Sequence, residues 1–182
     1  MNRTYSLAAS AALILWSAAP MPGASKPESQ ATEAKAMFQQ IDEWSADVAD
    51  SAFRLSEMAK SNRDPESHLE GLTVMREDIN RIGSELQSLD TMRDALPAWE
   101  VKALDQTLPL MHEAADNAEK AIQTYNSDRP HLWASSYVDD TAQVSKDTDQ
   151  VASILRDYLR LAKTREREDR LERSLSAPEP RP

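Results

Sequence analysis

Three histidines, His68, His112 and His131, are the scarcest polar chemistry in this 182-residue chain, which contains no cysteine. His131 lies in the stretch RPHLWASSYVDD (129–140), where a proline, a histidine, a tryptophan, a tyrosine and two aspartates fall within twelve positions. Imidazole, indole and carboxylate together suit a metal ion or a small ligand. The same residues also suit a packed cap at the end of a helical bundle. If residues 61–66 link two helices at that end, His68 joins His131 and Trp133 there, and the three become the ligand candidates of one site.

His112 is a fourth candidate, three residues after Pro109 in an apolar helical pattern. An interior proline removes one backbone hydrogen bond and bends a helix, which either opens a pocket or only curves the helix around its core. Glu66 and Glu70 stand two residues either side of His68 and face away from it. The Glu-x-x-His pair of di-iron bundles is absent, so no dinuclear metal site is expected.

Other cofactors fare little better. Covalent haem needs C-x-x-C-H, which a chain without cysteine cannot supply. Non-covalent haem would have to pair Met37 or Met58 with His68 or His112, because residues 137–162 hold neither His nor Met. The methionines after residue 25 sit singly, mostly on apolar stripes, where methionine fills gaps. There is no Gly-x-Ser-x-Gly and no glycine-rich phosphate loop. The expectation is a non-enzymatic protein with no cofactor and no metal.

The elements that must position these residues are helices. Gly71 and Gly83 are the two glycines after residue 25, too few for the turns of a sheet protein. Four apolar stripes recur at helical spacing. The first carries Ala34, Ile41, Val48 and Leu55, with Met37, Trp44, Ser51 and Met58 as a companion row. The second runs His68, Leu72, Met75, Ile79, Ile82, Leu86, Leu89. The third runs Val101, Leu104, Leu108, Met111, Ala115, Ala118, Ile122, Tyr125. The fourth runs Tyr137, Thr141, Val144, Thr148, Val151, Leu155, Tyr158, Ala162.

Breaks separate the stripes. Asp64 and Pro65 offer an N-cap and first helical residue, Pro97 can open the third helix, and Ser136 with Asp139 approximates a capping box for the fourth. Short links make neighbours antiparallel. The expected fold is all-α, an elongated antiparallel up-down-up-down four-helix bundle over residues 34–162, after a linker at 26–33. Residues 163–182 read as a charged helical extension to about Ser174 and a disordered tail, adding no stripe.

The first 25 residues read as a secretory signal peptide. Arg3 is followed by the apolar run Leu7–Ala19 and the small, turn-prone segment 20–25. That run is shorter than the roughly 20 residues a membrane span needs, so no stable insertion is expected after cleavage near Ser25. Export to the periplasm or beyond follows. The full chain carries a net charge of −10, and loss of Arg3 makes it −11. Most of the acidity lies in the bundle. Such a chain repels nucleic acid and anionic lipid, which leaves an unidentified protein partner as the expected contact.

The runs SHLEGLTVMREDIN (67–80) and HLWASSY (131–137), with the stripe that follows, resemble a group of small exported helical proteins of acidobacterial type. The likeness covers about residues 35–162. It implies an exported helical bundle and carries over no catalytic residue. Two functions follow as expectations: a bundle acting through protein contacts, or a carrier or sensor of a metal or small molecule at the His68, His131, Trp133 end. A haem-binding electron carrier is a third that the fold permits.

Overall fold

The computed structural model describes residues 27–61 and 66–176. The signal-peptide reading of 1–25 and the cap reading of Asp64 and Pro65 lie outside the described residues, as do residues 177–182. Four helices carry the chain: α1 (Pro27–Lys60), α2 (Glu66–Thr91), α3 (Ala98–Ser127) and α4 (Tyr137–Ser176). Short 3-10 segments at Arg93–Ala95 and Arg129–Ala134 join α2 to α3 and α3 to α4. No strand occurs among the described residues.

The helices form a ring in which α1 and α3 each pack against both α2 and α4. Cross-helix pairs give the direction. Lys35 meets Glu166 at 2.6 Å, Asp42 meets Arg156 at 3.2 Å, and Ser145 Oγ donates to the Ala49 carbonyl at 2.8 Å, so α4 descends as α1 rises. Arg81 over the Trp44 ring and Gln106 bonded to the Tyr158 hydroxyl show the same reversal for α1 with α2 and for α3 with α4. The molecule is the antiparallel four-helix bundle that the stripes predict.

Residue size sets how closely the helices approach. The buried faces of α1 and α3 hold Ala34, Ala49, Ala52, Ala59, Ala103, Ala114, Ala118 and Ala121, and that of α4 is rich in threonine, valine and alanine. Small side chains let axes come together, and the seams of α4 with α1 and with α3 are the most extensive. The buried face of α2 is His68, Leu72, Met75, Ile79, Ile82, Leu86 and Leu89, with no alanine. Bulkier side chains hold α2 farther out.

The second stripe is buried at every expected position. The first keeps its main row, but the companion row that closes the core is Phe38, Ser45, Ala52 and Ala59, with Met37, Trp44, Ser51 and Met58 only half-buried. In the third helix the buried face is rotated toward α4. Glu100, Ala103, Thr107, Ala114 and Ala121 are buried, whereas Val101, Leu108 and Ile122 are half-buried and Ala115 is exposed. The fourth stripe is buried apart from Tyr158, which is half-buried, and Asp147 and Ala152 join it.

Helix ends differ in detail from expectation. The segment read as a linker, 26–33, is helical from Pro27, and α4 reaches Ser176. Pro97 is the N-cap of α3, and α3 continues through Pro109. At the start of α4 the side-chain cap is Ser135, whose Oγ accepts from the Tyr137 N–H at 3.3 Å, while Ser136 contributes its carbonyl to the Asp140 N–H. The three buried threonines hydrogen-bond to carbonyls one turn back, which satisfies hydroxyls that would otherwise be costly in a core.

Candidate functional site

At the bundle end built by the α3–α4 connection, His68 and Tyr137 are both fully buried. His68 Nδ1 lies 2.9 Å from the Tyr137 hydroxyl, and the rings meet edge to face with centroids 5.3 Å apart. Burial raises the Tyr137 pKa, so the phenol stays protonated at any physiological pH. The chain places this pair by starting α4 at Tyr137 and setting His68 in the first turn of α2. It is a polar tie between helices inside the core.

His131 and Trp133 belong to the same end and face the other way. His131 exposes 65% of its side chain with Nδ1 2.7 Å from Asp128, and Trp133 is 55% exposed. Of the expected apolar plug, Leu132 alone enters the core. His68 therefore occupies an environment different from that of His131 and Trp133. His112 lies elsewhere, exposed on α3 beside the Gly83–Gln87 stretch of α2. Among the described residues no three His, Asp or Glu side chains converge in a way that could hold a metal ion.

Two carboxylates escaped the sequence reading. Glu100 is 1% exposed, Asp147 is 2% exposed, and each has one oxygen, Glu100 Oε2 and Asp147 Oδ2, without a hydrogen-bond partner. Burial pushes the Glu100 carboxyl up to about 7, against the opposing pull of Lys35. Burial also raises Asp147, which accepts a 2.7 Å hydrogen bond from Gln143. Asp147 senses Glu113 and Asn117, which lie some 13 to 17 residues, or about 20 Å of helix, beyond Glu100. The two do not form an acid–base pair. A signal for Glu100 existed, since it begins the seven-residue row Thr107, Ala114, Ala121.

A trough runs along the seam of α2 and α3. One cavity of about 530 Å³ extends from Asp90 and Leu108 to Ile79 and Ala115. A second, of about 320 Å³, shares Ile79, Asn80 and Ala115 with the first and continues to Arg76 and Ile122. A third, of about 230 Å³, shares Arg76 and Ile122 and ends at Leu69 and Asn126. The three adjoin through these shared walls and together line about 21 residues of α2, roughly 30 Å.

The trough has two causes in the packing of the two helices. α2 has large core residues that hold it outward, and α3 is rotated so that Leu108, Ala115 and Ile122 look into the gap. The floor is apolar and the edges are polar, with Asn80, Ser84 and Gln87 on α2 and His112, Asp116 and Glu119 on α3. A Cβ at Gly83 would meet nothing within 4 Å, so the channel is open at that level. None of the described helices is long and apolar enough to cross a membrane. The chain matches no family model, no curated protein and no solved structure.

Proposed function

We propose that this chain is an exported, non-enzymatic helical bundle of the acidobacterial-type group it resembles, acting in the periplasm or cell envelope by holding another protein along the α2–α3 trough. One observation carries the reading: a row of apolar residues on α3, expected in the core, lines an open channel instead. Covering such a row gains roughly 25 cal/mol per Å² of apolar surface removed from water. An amphipathic helix laid into a groove covers apolar positions at this spacing.

A metal or small-molecule carrier at the His68, His131, Trp133 end has less support. Its only enclosed imidazole is engaged with Tyr137, and the other two side chains face outward. The deciding experiment is site-specific photo-crosslinking in the source cell. A photoreactive residue at Gly83 should yield a discrete adduct that one at Asp157, 70% exposed on α4, does not. No adduct from position 83, or the same adducts from both positions, would sink the proposal.

A further inference from the structure

Resting on the trough reading above, we infer that the occupant of the α2–α3 trough is a single amphipathic helix of about 20 residues with Lys or Arg along its flank, supplied by a protein other than this one. Length comes from the three adjoining cavities, whose linings together run from Leu69 to Asp90 on α2. Apolar character comes from the surface left open to solvent, the half-buried Leu108 and Ile122 and the exposed Ala115 of α3 with the exposed Leu69 of α2, over the buried Leu72, Ile79 and Leu86. A helix, unlike a strand, presents a ridge of side chains every three to four residues, which suits a surface whose α3 positions recur every seven, two turns apart.

The charge of the flank comes from the edges. Asp90 lines the trough but is already bonded to Arg93 at 2.8 Å. Asp116 and Glu119 stand exposed on the α3 edge, and neither makes an ion pair among the described residues. Arg76 is the one basic side chain lining the channel among the described residues. A basic flank on the α3 side finds two carboxylates there. The bundle's wider field, from a chain of net charge −10, attracts a basic helix from a distance. The same field opposes a second copy of this chain, which brings the same sign.

Gly83 makes the inference testable without disturbing the core. A tryptophan there starts in open space and fills the channel, and Ala115→Trp fills it from the opposite wall. The probes are three synthetic peptides of about 20 residues. One places leucine at spacings of three and four with lysine on the flanks, one replaces each lysine with glutamate, and one scrambles the lysine peptide. Binding to the mature full-length chain is read by fluorescence anisotropy, and folding of each variant by thermal unfolding.

The lysine peptide should bind, weaken about tenfold or more in each tryptophan variant and in Asp116→Lys with Glu119→Lys, and weaken with added salt as screening rises. The scrambled and glutamate peptides should bind at least about tenfold less. If the glutamate peptide binds equally well and both tryptophan variants block it, the trough stands as a docking site but the basic partner is wrong. If the lysine peptide binds the tryptophan variants as well as the parent, or no better than its scramble, trough and partner both fail. A concentration-dependent dimer abolished by Gly83→Trp would replace the basic partner with a second copy.

Discussion

Glu100 ties the stability of the bundle to pH. Its carboxyl is buried beside α1, with Lys35 opposing the cost of burial and one oxygen left without a hydrogen bond. The folded pKa, about 7, lies above the ordinary value of 4.5, so between these pH values the folded chain holds a proton that the unfolded chain releases. Stability attributable to this group is therefore complete below about pH 4.5 and declines as pH rises through 7. Glu100→Gln keeps the shape and cannot ionise. At pH 8 the variant should be more stable than the parent by on the order of 1 to 3 kcal/mol, and near pH 4 the difference should vanish. Urea unfolding at the two pH values checks this, and an equal change at both would show that the effect is not the charge.

The two glycines of α2 test how that helix sits between its neighbours. At Gly83 an added Cβ meets nothing within 4 Å, whereas at Gly71 it would lie 2.8 Å from Cδ2 of Leu55. Alanine is a better helix former than glycine by about 1 kcal/mol. Gly83→Ala should therefore raise stability by about 0.5 to 1 kcal/mol. Gly71→Ala should fall short of that gain or reverse it, because Leu55 must shift in a close-packed core. Comparing the two unfolding midpoints measures the contrast, and equal gains would mean that α2 does not press on α1 at Gly71.

The same contrast explains what the stripes revealed. Along α2 one narrow apolar face is buried at every expected core position, while Leu69 and Val74 stay exposed beside it. Along α3 apolar and small residues cover a wider arc. Leu108 and Ile122 outrank Ala114 and Ala121 in hydrophobicity, yet the alanines are the ones buried, because their size lets α3 close on α4. Hydrophobicity alone does not choose between two adjacent rows. The trough is the consequence of that choice.

For the whole molecule, stability resides in the part of the bundle where four helices overlap. From Lys163 to Ser176 every residue of α4 is exposed, and among the described residues the extension's ion pair with the rest of the bundle is Lys35 with Glu166. A partly exposed ion pair contributes about 0 to 1 kcal/mol. Deleting residues 163–182 should lower the melting temperature by no more than about 2 to 4 °C, and the loss should shrink in high salt. A larger, salt-independent loss would mean that Leu171 and Leu175 pack on something in solution.

The sequence by itself determined the helices, their order and their antiparallel arrangement, because apolar spacing and short prolines-and-polar links act locally. It also marked His68 as a core position, since its spacing matches the α2 stripe. What His68 touches was settled only by packing, which brought Tyr137 against it from 69 residues away. Packing likewise turned His131 and Trp133 outward, buried Glu100 and Asp147, and rotated α3 toward α4. Each of these depends on which neighbour a face meets and how closely small residues let it approach, and that is a property of four helices together.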